Sequence, residues 1–282
     1  MIGLIKSDFY KILKTKSFYI CGGLAVIFAA LSVVMMDVSS RMQYAMYGLE
    51  DLYVSPYTGA YSLVFGLTNA TLFATIVVSM FIPSEFKFGT IKNIASRGIS
   101  RSSIYLSKLV VTVFVSAIYS LLCGAVAFVA GCYTAGVGEL NRNEMLSVFA
   151  VVMLFLLAEV ALQSIFQMVG FMVRGTGWSM ITNIGIQVFI PTMIFGYIDF
   201  AINSWIVPLI SSNEWLSSWI KLSDFSISNY FPLEYLGKFI EIDISHISFY
   251  KQDIITGIIV SVVYLVLSTV VGIWNFRRRD VV

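Results

Sequence analysis

Five polar side chains stand inside long apolar stretches, where an ionisable or amide group is costly and therefore informative. They are Glu159, Gln163, Gln167, Asn183 and Gln187. The first three recur at intervals of four and share one helix face, and the other two stand at matching depth in the next apolar stretch. We therefore predict a hydrogen-bonded seam between the two segments. A carboxylate at the centre of an apolar span should face protein or water, so we expect Glu159 to line a translocation path or a subunit interface.

A second set of chemically capable residues lies in the charged segment 83–108, between two apolar runs. Pro83 should end the preceding helix, because proline cannot continue the hydrogen-bond ladder. Ser84 can then cap a short helix, Gly98 suits the end of that helix, and Ser100 can cap the next one. The segment therefore predicts a short charged helix, parallel to the membrane and tied to both neighbouring spans. A partner that pushed on it would move both spans together.

Motifs of enzymatic chemistry are missing from the sequence. There is no G-x-x-x-x-G-K-[ST] loop to cradle ATP phosphates, and no H-E-x-x-H, C-x-x-C or G-x-S-x-G. We therefore expect no catalytic residue, no metal site and no cofactor in this chain. If it moves a substrate at an energetic cost, the energy must come from an ion gradient or from another protein.

The composition indicates a membrane protein, because 58% of the residues are hydrophobic and only 12% are charged, against about 25% charged in soluble domains. Six apolar runs are long enough to cross a bilayer, which takes about 20 helical residues. Helices are expected because each backbone polar group must be satisfied within its own segment. The fold class predicted is an all-α polytopic membrane protein, with one transmembrane domain over residues 1–282. Its spans are residues 18–36, 61–82, 109–133, 146–173, 178–198 and 254–274.

The distribution of Lys and Arg predicts the orientation. With the N-terminus inside, 13 of these residues fall in inner segments and 5 in outer segments, which together account for all 18. Basic residues are enriched in cytoplasmic loops, so both termini should be cytoplasmic. The outer segment 199–253 is rich in aromatic residues, and we expect interfacial or re-entrant helices there.

Two further patterns concern helix packing. Residues 2–16 predict an amphipathic helix that lies flat in the cytoplasmic interface. Its apolar face would hold Ile2, Ile5, Phe9, Ile12 and Leu13, and its polar face Ser7, Lys11 and Lys14. On the third span, Cys123, Ala127, Gly131 and Ala135 form a stripe of small residues that predicts close approach of another helix.

The charged segment also carries a family resemblance. Glu85-Phe-Lys-Phe-Gly89-Thr90-Ile-Lys92, then Arg97-Gly98-Ile-Ser100-Arg101, then Lys108, resembles the inner-loop pattern E-[YF]-x-x-G-T-x-[KR]…G-x-[ST]-R…K of type-2 ATP-binding-cassette (ABC) exporter permeases. The six spans, the amphipathic N-terminal helix and the long outer segment are similar to that family as well. The resemblance implies an ATPase-coupling contact made by Glu85, Phe86, Lys87, Gly89, Thr90, Lys92, Arg97, Gly98, Ser100 and Arg101.

The same resemblance implies partners. Two permease subunits, identical or related, would work with two separate ATPase subunits, which would hold the ATP and Mg²⁺. Closure of the ATPases would tilt the permeases and open a path outward, and the short Arg174–Gly177 loop would form a second, smaller inner contact. The chain looks most similar to small bacterial permeases for peptide export or bacteriocin self-protection. That likeness implies a bacterial plasma membrane and an amphipathic peptide or lipid-like substrate.

Two other classes of function stay open on the sequence. An ion-coupled secondary transporter or channel would need charges paired within the spans, or inverted repeats with broken helices. Neither is visible, and Glu159 stands alone in its span. The other class is a membrane sensor or scaffold that transports nothing, which an ATPase gene beside this one would argue against.

Overall fold

Long apolar helices make up most of the computed structural model, which describes residues 2–48, 55, 58–136, 142–207, 231–232 and 251–278. Within these ranges, six helices are long and apolar enough to cross a membrane. The predicted fold class, an all-α polytopic membrane protein, is therefore confirmed.

The helices extend beyond the predicted spans at most ends. They are α1 (Ile2–Lys14), α2 (Lys16–Met46), α3 (Gly59–Lys87), α4 (Thr90–Ser96), α5 (Arg101–Ala135), α6 (Arg142–Val173), α7 (Thr176–Ile184), α8 (Gly196–Ala201) and α9 (Lys251–Arg278). α7 continues into α8 through a π-helical stretch, Gly185–Phe195, and a second one, Ile202–Ile206, follows α8. The fifth span thus continues in helix beyond its predicted end at residue 198. Most of the predicted outer segment 199–253 lies outside the described residues.

α3 and α5 pack closely at the centre of the bundle because small residues bring their backbones together. A Cβ atom added to Gly66 would collide with Ala127 and with the Cys123 carbonyl. One added to Gly131 would collide with Ser62. The predicted small-residue stripe on α5 is therefore confirmed as a close-packing face, and α3 is the helix that it meets.

Pro83 does not end α3, and this prediction was wrong. The helix continues through it to Lys87, and Pro83 is buried. Ser84 accordingly lies inside α3 and donates its hydroxyl to the Phe81 carbonyl at 2.7 Å instead of capping a new helix. Proline removes one backbone hydrogen bond, a loss that membrane helices tolerate where neighbouring groups satisfy the backbone. The extra turn carries the residues after Pro83 farther along the axis of α3 than predicted.

α4 is the short helix expected within the charged segment, and glycines bound it. Gly89 adopts φ 66° and Gly98 φ 79°, a left-handed region that glycine enters without a steric penalty. Ile91 anchors α4, since it is 0% exposed within the main apolar core. Ser100 caps α5 as predicted by accepting a hydrogen bond from the Ser103 amide at 3.3 Å.

α1 is amphipathic as predicted and most of its apolar face packs against the main core, but its buried side is rotated to include Asp8. Asp8 and Ile12 are each 1% exposed, whereas Ile2 is 83% and Leu13 41% exposed. Lys11, predicted on the polar outer face, is half-buried and points towards α3. The face is rotated because Asp8 and Lys11 meet charged partners on α3 and α5, which an apolar count along α1 does not take into account.

Candidate coupling site

Lys108 forms the centre of a buried group of charges where α1, α3 and α5 meet. Its side chain is 0% exposed, and its Nζ lies 3.0 Å from Glu85 Oε2 and 3.4 Å from Asp8 Oδ1. The ammonium also lies 5.1 Å from the centroid of the Phe81 ring, a favourable cation–π position. A buried ammonium with two carboxylates around it holds the three helices in one arrangement, because separation would leave a charge unpaired.

Lys11 completes this group from α1. Its Nζ lies 3.2 Å from Glu85 Oε1 and 3.8 Å from Asp8 Oδ1, and its side chain is 35% exposed. We call Asp8, Lys11, Glu85 and Lys108 the ionic cluster. Its two carboxylates and two ammonium groups balance formally, so the cluster adds no net charge to this end of the bundle. We call this end, which carries α1, α4 and the last turn of α9, the coupling end.

Asp8 is the more deeply buried of the two acids in the ionic cluster, and it lies on α1, outside the membrane spans. Burial raises the pKa of Asp8 above its usual range, while the nearby Lys108 lowers it, Glu85 raises it and Lys11 lowers it. Burial dominates because water is excluded from the charged form. Since burial disfavours the charged form of Asp8 more than the two lysines favour it, we expect the joint between α1 and α5 to weaken as Asp8 loses its proton.

Glu85 belongs to this cluster and not to the outer surface. We expected it to contact a partner and to contribute little to packing, but it is 6% exposed and bonded to two lysines. Its main counter-ion, Lys108, stands 23 positions later in the sequence, so no local pattern indicates their contact. Glu85 therefore positions the end of α3, and any coupling role it has acts through the residues around it.

Phe86 faces inward as well. Its half-buried ring packs edge-on against Phe171, with centroids 5.5 Å apart, and against Phe276 at 6.3 Å. The guanidinium of Arg174, which lies between α6 and α7, stacks over the same ring at 5.2 Å. Phe86 thus ties the end of α3 to α6, α9 and the predicted second contact loop, 174–177, instead of facing a partner.

Arg101 holds the end of α9. Its Nη1 donates to the carbonyls of Phe276 at 3.2 Å and Arg277 at 2.9 Å. Those carbonyls belong to the last turn of α9, where no further turn supplies donors and a cation is favoured. Arg277 in turn donates to Ser102 Oγ at 2.7 Å. Arg101, predicted as a contact residue, therefore links the start of α5 to α9.

The remaining predicted coupling residues do lie towards the surface. Lys87, Lys92, Arg97, Gly98 and Ser100 are exposed, while Gly89 and Thr90 are half-buried. Among them stands Phe88, which was not one of the predicted contact residues and which is 75% exposed. Consecutive helical residues differ by about 100°, so Phe86 and Phe88 point in nearly opposite directions. Continuing α3 past Pro83 would have revealed that difference. We call Lys87, Phe88, Lys92 and Arg97 the coupling surface.

A second buried polar group lies in the middle of the bundle, around Glu159. Its side chain is 1% exposed. Thr71 Oγ1 on α3 donates to Glu159 Oε2 at 3.0 Å, and Gln163 Nε2 donates to Oε1 at 2.8 Å. Glu159 thus lies inside this subunit, between α3 and α6, and not on an outer face that a second subunit could cover. A role beside a translocation path stays a prediction.

The predicted seam between α6 and α7 has different partners from those expected. On α7 and the π-helical stretch, Asn183 donates to Ser79 Oγ at 2.8 Å, and Gln187 accepts from Thr75 at 2.7 Å. The bond from Asn183 to the Phe166 carbonyl, at 3.3 Å, joins α7 to α6 directly. Hydroxyl groups of α3 therefore bridge most of the seam.

Gln167, on the other side of α6, likewise bonds to a helix other than α7. Its Oε1 accepts from Thr112 at 3.3 Å, and its Nε2 donates to the Tyr105 carbonyl at 2.8 Å, both on α5. For the partners on α3 the signal was present in the sequence, as Thr71, Thr75 and Ser79 recur every fourth residue. Such spacing places hydroxyl groups on one helix face, where they can bond across to buried amides.

Comparison with known protein families identifies the class of protein. Residues 4–149, more than half of the chain, match the family of ABC-2 family transporter proteins. The chain belongs to this family, and with its six apolar helices it is a multi-pass membrane protein of the permease type. Members of this family are typically non-catalytic membrane subunits that associate with an ABC ATPase subunit. A comparison with curated proteins gave no match.

Proposed function

We propose that this chain is the transmembrane subunit of an ABC exporter and that separate ATPase subunits drive it by docking on the coupling surface. The substrate class we propose is an amphipathic peptide or a lipid-like molecule. The membrane is a bacterial plasma membrane with both termini in the cytoplasm. Impermeant thiol reagents applied to intact cells should then label Tyr133→Cys but not Ser96→Cys, in a variant without native cysteines.

The observation that carries this proposal is the way α4 is built into the bundle. Ile91 buries one side of α4 in the apolar core, and Gly89 and Gly98 form tight turns at its two ends. The turns leave α4 directly attached to α3 and α5, and the ionic cluster fixes both of those helices to α1. Displacement of α4 would therefore move three helices as one body. Such a connection is required if a partner that is not embedded in the membrane is to move the spans.

The coupling surface has the composition of a docking contact. Phe88 presents a large aromatic ring to solvent, and aromatic anchors in a partner's pocket carry much of the binding energy of protein interfaces. Lys87 lies with its Nζ 6.0 Å from that ring, and Lys92 and Arg97 add positive charge on α4. A groove that accepts an aromatic ring and is lined with acidic residues would be complementary in both shape and potential.

In the working cycle that we propose, ATP and Mg²⁺ bind to the partner subunits, and this chain supplies no catalytic group. Closure of two ATPases would displace α4 in each of two permease subunits. Since α3 and α5 interlock at Gly66 and Gly131, they would tilt together and change the gap between the subunits. The polar group around Glu159 lies on the α3 and α6 side of this unit and would be carried with it.

Substitution of Phe88 tests the proposal. The full chain carrying Phe88→Ala, co-expressed with its ATPase subunit, should retain the ATPase about 30-fold less tightly, as for the loss of a central aromatic anchor. The measurement is the dissociation constant of the purified complex. Phe200→Ala is the matched control, because Phe200 is 66% exposed on α8, far along the chain from the coupling surface. If both variants bind the ATPase like the unmodified protein, the proposed contact is wrong.

A further inference from the structure

A groove of about 560 Å³ separates α1 from α4 at the coupling end. Ser7 lies on the α1 wall, with Leu4 nearby, and Asn93 and Arg97 line the α4 wall. Ile99 closes one side. The groove thus combines a guanidinium, a hydroxyl and an amide with apolar side walls, which is a suitable lining for a ligand with an anionic head and an apolar body.

The charge around the groove is of one sign. Among the described residues of the coupling end, the acids are Asp8 and Glu85, and both are buried and paired within the ionic cluster. Eight basic residues at this end are exposed, Arg97 among them. Lys11 also lines the groove, but its charge is balanced by the two acids of the cluster. Arg97 is therefore the groove's uncompensated charge among the described residues.

We propose that this groove binds the headgroup of an anionic phospholipid. Arg97 would pair with the phosphodiester, because a guanidinium offers two parallel donors to phosphate oxygens. Ser7 and Asn93 would donate further hydrogen bonds, and Leu4 and Ile99 would contact the glycerol and the first methylene groups. Arg97 also belongs to the coupling surface, but Ser7 does not, and lipid binding needs no ATPase, so Ser7→Phe lets the two proposals fail separately.

The position of α1 favours a lipid over a free phosphate ion. Ile2 is 83% exposed and Tyr10 64% exposed on α1, whose opposite side packs against the bundle. Apolar side chains of an amphipathic helix at a membrane end insert among lipid headgroups and acyl chains. Basic residues beside an anionic leaflet are attracted to it as well. A lipid headgroup would therefore be present at high local concentration at the mouth of the groove.

Native mass spectrometry tests this proposal on the purified full-length protein in detergent. Titration with phosphatidylglycerol should give a dissociation constant for the first bound lipid that is at least about fivefold lower than for phosphatidylcholine. Arg97→Gln should weaken the binding of phosphatidylglycerol by about fivefold, since one basic residue near the membrane contributes that factor. Ser7→Phe, which fills the groove without a change of charge, should also weaken it.

Lys92→Gln is the matched control, because Lys92 is exposed on α4, which Arg97 directly follows, but does not line the groove. Equal weakening by Arg97→Gln and Lys92→Gln, with no effect of Ser7→Phe, would mean that the lipid responds only to the positive potential of this surface. The proposed site would then not exist. Competition by inorganic phosphate at millimolar concentration would show that a free anion is the ligand and would overturn the lipid assignment. Loss of ATPase capture in Ser7→Phe, which lies in the groove but not on the coupling surface, without any lipid preference would assign the groove to the partner protein instead.

Discussion

Two buried polar groups hold this bundle together, and they are built on opposite principles. At the coupling end, the ionic cluster pairs charges with charges, as Lys108 lies between two carboxylates. At the centre, Glu159 is held by the uncharged Thr71 and Gln163. The cluster joins α1, α3 and α5, and the central group joins α3 to α6.

This contrast shows how position along the membrane normal selects the chemistry. Near the end of the spans, water and headgroups can solvate a charge while helices move past each other, so an ionic joint can be rearranged. In the hydrocarbon centre a charged partner on a second helix would have to be inserted at a high cost. Neutral hydroxyl and amide groups on helix faces supply the hydrogen bonds there at a lower cost. The two groups should therefore respond differently to the loss of one member.

The largest effect is expected for Lys108→Met. The variant leaves Glu85 and Asp8 with a single, partly exposed counter-ion, and breaking a buried pair in this way costs about 3–5 kcal/mol. The free energy of unfolding, measured by SDS titration of the purified protein, should fall by that amount. Adding Glu85→Gln to Lys108→Met should restore part of the loss, because it removes one of the uncompensated charges.

Lys11→Met is the matched control for this substitution. Lys11 belongs to the same cluster, but its side chain is 35% exposed, and partly solvated ion pairs contribute at most about 1 kcal/mol. Equal losses for the two lysines would mean that burial does not distinguish them. The contrast between charged and neutral polar groups would then lose its basis.

A smaller effect is expected at the centre. Glu159→Leu removes both hydrogen bonds and should lower the free energy of unfolding by about 1–3 kcal/mol, since membrane hydrogen bonds contribute about 0.6–1.7 kcal/mol each. Glu159→Gln keeps the shape and an acceptor for Thr71, so its change should stay below about 1 kcal/mol. A transport assay on Glu159→Gln then addresses function separately from folding. A loss for Glu159→Gln as large as that for Glu159→Leu would show that the charge, which both variants remove, stabilises the centre more than the hydrogen bonds do.

The smallest effect is a pH dependence of the joint between α1 and α5. The native state raises the pKa of Asp8 above 3.8, so native Asp8 binds a proton more readily than the unfolded chain does. Its contribution to stability is therefore fully present below pH 3.8 and is lost as the pH rises through the raised pKa. The difference in free energy of unfolding between the unmodified protein and Asp8→Asn should decline over that window. A difference that grows with pH would mean that Lys108 and Lys11 outweigh burial.

Much of the architecture could be predicted from the sequence, because bilayer thickness and backbone hydrogen bonding leave few choices. The six spans follow from apolar length, and the cap at Ser100 and the turn at Gly98 follow from local chemistry. The close packing of α5 follows from small residues at Cys123, Ala127 and Gly131. Each of these features is encoded within a few neighbouring residues.

The site was harder to predict because its contacts join distant parts of the chain. Asp8 meets Lys108 at a separation of 100 residues, so neither residue marks the other as a partner. Glu85 and Phe86 were assigned to the partner contact from the family pattern, and Pro83 was expected to end α3. Once the helix continues, both turn inward and Phe88 becomes the exposed residue. The family pattern marks positions in the sequence, whereas the direction of each side chain depends on where α3 ends.

The sequence order of the ionic cluster has a consequence for biosynthesis. Asp8, Lys11 and Glu85 all precede Lys108, so both carboxylates have already been translated when the ribosome reaches this lysine. Both counter-ions of Lys108 have therefore been synthesised before this lysine enters the membrane. All four residues also lie within the part of the chain that matches the family, residues 4–149. The joint between α1, α3 and α5 can thus form during translation, before the last three spans emerge. The later helices can then pack against three helices that are already joined.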